Sequence, residues 1–162
     1  MSVDAKEIAK FDDQAAAWWD PNGPSRALHD LNGQRLAFIQ ERAELRGAQV
    51  LDLGCGGGIL SEALTLAGAR TTAIDLSAEQ IDIARLHALE AKLEIDYRCV
   101  SAQALSEDPA QRFDVITCME MLEHVPEPES ILKDCRALLN PGGKLFLSTI
   151  NRNARSFLTA IV

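Results

Sequence analysis

No apolar run in this 162-residue chain approaches the ~20 residues that a helix needs to span a bilayer. The N-terminal stretch MSVDAKEIAKFDD has neither the basic nor the apolar region of a signal peptide, so none is expected. Positive charge is short as well: 16 Lys and Arg stand against 24 Asp and Glu, a formal net charge of -8. A protein that tracks nucleic-acid phosphates shows a basic stripe, so a nucleic-acid partner is not expected. Paired cysteines are missing too. Cys55, Cys99, Cys118 and Cys135 form no C-x-x-C motif and read as reduced, small apolar residues of a cytoplasmic protein. Cys55 lies near a predicted helix start, where a thiol pKa falls, but it has no evident base partner. Repeats and low-complexity tracts are absent, and 47% apolar with 25% charged residues is the balance of one ordinary globular domain.

What is present alternates. Strand-like runs at 49–54, 70–75, 95–100, 113–119 and 143–149 are separated by helical stretches near 58–67, 77–90, 102–106 and 129–139. Such alternation builds right-handed βαβ units and a parallel sheet covered on both faces. Ser77 followed by Gln80 reads as a capping box, and Asn140-Pro141-Gly142-Gly143 reads as a helix stop and a turn into the last strand. Two helical stretches, about 4–19 and 30–46, precede the sheet, joined by the turn-rich 20–25. Ile8, Phe11, Ala15 and Trp18 fall at helical spacing and mark an apolar face. Residues 1–48 therefore read as a helical arm and lid, and 49–162 as the nucleotide-type domain. With the last strand ending near Thr149 and the chain at Val162, the sheet is expected to have a bare edge, which either a partner covers or which, in the favoured reading, marks a shortened version of a longer protein.

The segment Val50-Leu51-Asp52-Leu53-Gly54-Cys55-Gly56-Gly57-Gly58 carries most of the chemistry. An apolar strand, a glycine turn and a helix let a ligand lie against bare backbone at a helix start. Counted from Gly54 and Gly56, a dinucleotide fingerprint needs its third glycine where Ile59 stands. Asp52, two residues before the first glycine, would repel a pyrophosphate yet suits a cationic ligand with an amino group. S-adenosylmethionine is such a ligand, and a nicotinamide-dependent oxidoreductase is disfavoured. Asp75 ends the second strand, 21 residues beyond Gly54, the place of an acid that takes ribose hydroxyls; the alternative is a helix cap, which Ser77 fills better. The third strand ends at Ser101, where methyltransferases often have an acid for the adenine amino group. Met119, ending the fourth strand, offers a polarizable thioether to adenine or to the methionine portion, or simply packs.

Together, WWD at 18–20, QVLDLGCGGGIL at 49–60, LHALE at 86–90, FDVITCMEMLEHVPEPES at 113–130, NPGG at 140–143 and STINRN at 148–153 resemble the ubiquinone biosynthesis O-methyltransferases. The resemblance runs from about Asp4 to Val162, and the family continues beyond this C-terminus. It implies a Rossmann-like class I methyltransferase fold with strand order 3-2-1-4-5, lacking the family's final strands. It also implies O-methylation of 3-demethylubiquinol and 2-polyprenyl-6-hydroxyphenol. By it, Arg35, Gly54, Asp75 and Met119 fall on cofactor-binding positions, beside Asp52 and Gly56; Arg35 would pair with the cofactor's α-carboxylate. The family often has Asn-Pro before this arginine, where this chain has Asn32-Gly33-Gln34, so a looser helix start is expected. Contact with membrane lipid, with the quinone tail and with other ubiquinone biosynthesis proteins is implied, at a cytoplasmic location peripheral to the inner membrane.

The chemistry requires a phenol hydroxyl to lose its proton. Glu120, Glu123 and His124 are the candidates: on one helical turn their i, i+3, i+4 spacing would put them on one face. They could form a Mg²⁺ or Zn²⁺ half-site, as the matching Glu, Glu and His of eukaryotic relatives are thought to do, or His124 could act as a metal-free base with Glu120 beside it. Trp18 or Trp19 could lid the site or simply pack, and His29 and His87 are assigned no chemistry. Two other readings share these residues: the same donor with another small acceptor, and a module that binds cofactor without turnover.

Overall fold

The computed structural model describes residues 17–149. Five strands form one parallel sheet: β1 (Gln49–Leu53), β2 (Arg70–Asp75), β3 (Asp96–Cys99), β4 (Phe113–Met119) and β5 (Leu139–Ser148). Their order is β3-β2-β1-β4-β5, as the resemblance implies. The register aligns Val50 with Thr71 on one side and with Val115 on the other. Chain direction across the sheet reverses between β1 and β4, and a crevice opens beyond their carboxyl ends.

The helices are α1 (Arg26–Gln40), α2 (Ile59–Leu66), α3 (Ala78–Ala91), α4 (Ala102–Ser106) and α5 (Pro128–Leu138). Alternation along β1 and β4 divides the core. Val50 and Val115 face α1 and α2 with Ile39, Leu60 and Leu64, while Leu51, Leu53, Ile116 and Cys118 face α4 and α5 with Leu105, Cys135 and Leu138. A third cluster seats α3 on β2 through Ala73, Ile81, Ala84 and Tyr97. Ser77 caps α3, its hydroxyl accepting the Gln80 N–H at 3.0 Å.

Three expectations change. The second arm helix runs over Arg26–Gln40 rather than 30–46, so Gly33 lies in its interior and not at a loose start. The expected helix over 4–19 lies mostly outside the described residues, and Trp18 and Trp19 stand in a turn. The Asn140–Gly143 turn is absorbed into the last strand as a wide bulge. Leu139 pairs with Phe113, and the next pair is Lys144 with Val115. Asp114 stabilises this corner, accepting the Asn140 Nδ2–H at 2.8 Å and the Gln49 N–H at 2.9 Å. Among the described residues no strand pairs with the outer edge of β5. Their helices include none long and apolar enough to cross a membrane.

Candidate functional site

The glycine loop explains its own spacing. Gly54, Gly56 and Gly58 have φ of +72°, +52° and +90°, a left-handed region that disfavours a side chain. The space beside them is also taken. A Cβ on Gly54 would lie 2.7 Å from Met121 Cγ, one on Gly56 2.5 Å from Trp18 Cζ2, and one on Gly58 2.2 Å from Tyr97 Oη. The Gly54 and Cys55 N–H groups both donate to Ile74 O, which stitches the loop to β2. Asp75 completes the cradle: its Oδ2 accepts the Gly56 N–H at 2.9 Å and its Oδ1 the Ser77 N–H at 3.0 Å. The carboxylate is thus oriented at the end of β2, and the cap of α3 is Ser77, not Asp75.

Asp52 lies beneath the loop, 3% exposed. Its Oδ2 accepts the Ser61 hydroxyl at 2.6 Å and its Oδ1 the Thr117 hydroxyl at 2.7 Å. Burial pushes this carboxyl up; the two hydroxyl bonds oppose the shift, Asp75 adds to it and Arg35 opposes it. Asp52 therefore joins α2 to β4 under the glycines. Burial and the neighbouring Asp52 and Asp75 hold the Cys55 thiol well above its ordinary value, against the activation that a helix start would give. Burial likewise raises Cys135 to about 11. Cys99, unlike the other three, is exposed.

A cavity of about 700 Å³ opens above these groups, in the size range of small-molecule sites. It brings together Arg35, Asp52, Gly54, Gly56, Asp75, Met119, Glu120, Glu123 and His124, so every residue that the sequence singled out lines one space. Ser101, which stands where an acid was looked for, also lines it but caps α4, accepting the Ala104 N–H at 3.1 Å. Met119 packs on the α1–α2 side of the core, and the methionine against Gly54 is Met121. Of the two tryptophans offered as a lid, Trp18 is the one that roofs Gly56 and Gly57, whereas Met121 was not legible as a site residue, since it reaches Gly54 from distant sequence. Trp19 is held apart from Trp18. Its Nε1–H donates to Gly57 O at 2.9 Å, and its ring stacks on His87 with centroids 3.4 Å apart. His87 Nδ1 pairs with Glu62 at 2.7 Å, and His29 Nε2 with Trp18 O at 3.0 Å, so both histidines serve the arm.

The helical turn expected over 120–124 does not form. Glu120 has a φ of +57°, and only Leu122–His124 make a 3₁₀ turn. The left-handed step at Glu120 breaks the helical i, i+3, i+4 arrangement with Glu123 and His124. Glu120 Oε1 lies 3.1 Å from Arg35 Nη2 and accepts the Ser148 hydroxyl at 2.9 Å. Glu123 Oε2 accepts the Thr149 hydroxyl at 2.9 Å. The donor set does not fit a Mg²⁺ or Zn²⁺ half-site as arranged: no group of three His, Cys, Asp or Glu among the described residues is placed to hold a metal ion.

A family model for a methyltransferase domain matches residues 26–160. The chain is 50% identical, over its whole length and 69% of the relative's, to a ubiquinone biosynthesis O-methyltransferase of Marinobacter nauticus. It is 52% identical over 162 residues to the corresponding Coxiella burnetii protein, with the same coverage. Among solved structures, magnesium protoporphyrin IX methyltransferase of Synechocystis with bound S-adenosylmethionine superposes with a TM-score of 0.76. It is 22% identical, over 93% of this chain and 78% of that one, which speaks for the fold alone.

Proposed function

The chain belongs to the ubiquinone biosynthesis O-methyltransferase family, and from that premise we propose how its cavity is used. The activity is S-adenosylmethionine-dependent O-methylation in ubiquinone biosynthesis, on a polyprenylated phenol. The observation that carries the site assignment is the convergence of the glycine loop, Asp75 and Arg35 on one cavity at the β1–β4 reversal. In this reading Gly54 and Gly56 give the cofactor bare backbone, and Asp75, already oriented by two backbone N–H groups, takes the ribose hydroxyls. Asp52 supplies a negative field for the sulfonium and ammonium, and Arg35 holds the α-carboxylate. Met119 or Met121 lies against the adenosyl–methionine portion.

The acceptor enters at the β4 end, where Met121, Val125 and Ile131 are apolar and His124 carries the base. Methyl transfer breaks the sulfonium S–CH₃ bond as the new O–CH₃ bond forms. The phenol proton, with an unperturbed pKa of about 10, passes to His124. Alignment of donor and acceptor supplies most of the acceleration, roughly 7–11 kcal/mol where it is complete. Acceptors of both O-methylation steps fit this reading. A prenyl tail partitions into lipid, so peripheral contact with a membrane and with neighbouring biosynthetic proteins belongs to the same proposal.

Calorimetric titration with S-adenosylhomocysteine tests the cofactor assignment. Micromolar binding is expected, weakened at least tenfold by Asp75→Ala with the fold intact; equal binding by the variant would remove Asp75 from the site.

A further inference from the structure

The charge inventory of the cavity has a feature that the cofactor reading leaves unexplained. Among the described residues five carboxylates line it, Asp52, Asp75, Glu120, Glu123 and Asp134, against one guanidinium, Arg35, and no lysine. S-adenosylmethionine brings two positive groups, which this surplus suits, and one carboxylate, which it does not. Among the described residues that carboxylate has a single permanent cation to meet, and the cation is engaged. The Arg35 side chain is 13% exposed and its Nη2 lies 3.1 Å from Glu120 Oε1, the side chain of Glu120 being 32% exposed. The pair is close but poorly aligned, since Arg35 Nη2 makes no hydrogen bond of good geometry. Glu120 meanwhile rests on a left-handed backbone step, with φ of +57°, and has a second partner in the Ser148 hydroxyl. A non-glycine residue is disfavoured there, so the chain is strained at the point that delivers this carboxylate to Arg35.

We propose that Glu120 is a resident stand-in for the cofactor's α-carboxylate: the cofactor binds by exchanging one carboxylate for another on Arg35, which releases Glu120 beside His124. The inference rests on the cofactor reading of the cavity. Glu120 opposes cofactor binding while the site is empty, and once displaced adds a negative charge on the acceptor side only when the methyl donor is in place. No bond is made or broken in the exchange, and the charge on Arg35 stays compensated throughout.

The test compares two ligands by calorimetry: S-adenosylhomocysteine, and its decarboxylated analogue, which keeps the ammonium and lacks only the carboxylate. Glu120→Gln removes the competitor's charge. It is expected to tighten S-adenosylhomocysteine binding about three- to fivefold, the effect of a partly exposed ion pair, and to leave the analogue within twofold of wild type. Asparagine tolerates the left-handed region, so Glu120→Asn tests the same exchange without the backbone cost and should shift binding in the same direction. Unchanged or weaker binding of S-adenosylhomocysteine by both folded variants overturns the exchange. Failure of the wild-type chain to bind either ligand overturns the cofactor reading instead, and the exchange with it.

Discussion

Asp52 is an acid whose oxygens both serve the fold, held by Ser61 from α2 and Thr117 from β4. Because burial raises its pKa above the ordinary 3.8, the native state favours its protonated form. Its contribution to stability is fully present below about 3.8 and is lost as pH rises through the folded value. Above the ordinary 3.8 the ionisation of this carboxyl therefore favours the unfolded chain. Asp52→Asn is expected to raise the denaturation midpoint at pH 7, by a margin that shrinks as pH falls toward 4; a variant less stable at pH 7 would contradict this. At this scale the sequence was legible where geometry restricts residue type. Glycines at 54, 56 and 58 announce left-handed backbone because other residues strain there. Glu120 announces nothing, being a non-glycine residue in the same region, and the helical turn read across 120–124 failed at that residue.

Beyond the core that α1 shares with α2 and the sheet, the arm is joined to the helices by a ring stack and a part-buried side-chain pair. Trp19 lies on His87 of α3 with planes 2° apart, and His87 reaches Glu62 of α2, which is buried. Removing the imidazole leaves a buried carboxylate without this partner and an indole without its stack. His87→Ala is expected to cost about 2 kcal/mol in urea unfolding. His87→Phe, which keeps the stack alone, should recover about half; full recovery would mean that the Glu62 bond contributes nothing. The sequence assigned His87 no chemistry, and a stack across 68 residues is not visible in a local pattern. Strands and helices from 49 to 138 were legible within a residue or two because apolar periodicity and caps agree there. The β5 bulge was not, since Asn-Pro-Gly-Gly reads as a plain turn until Asp114 is seen to bind Asn140.

For the molecule as a whole, the excess of acid recurs at the site: the chain carries a net charge of -8, and the cavity five carboxylates to one arginine. A sulfonium gains from that field and the neutral thioether of the product does not. Raising salt from 50 to 500 mM is expected to weaken S-adenosylmethionine about two- to threefold more than S-adenosylhomocysteine. Equal salt dependence of the two dissociation constants would show that the carboxylates are not felt at the sulfur.

The parallel sheet also has a history in time. The glycine loop follows β1, but its floor is closed by β4, through the Thr117–Asp52 bond between residues 65 apart. Parallel neighbours must wait for a crossover, and the ends of a long loop meet late. During folding the strands β1 and β2, with their helices, can assemble first and will still have no pocket. The site appears only when β4 docks, at Val50 against Val115. A ligand that recognises this cavity can therefore slow unfolding by holding β4 in place, yet it has nothing to grasp that would hasten the search for that strand.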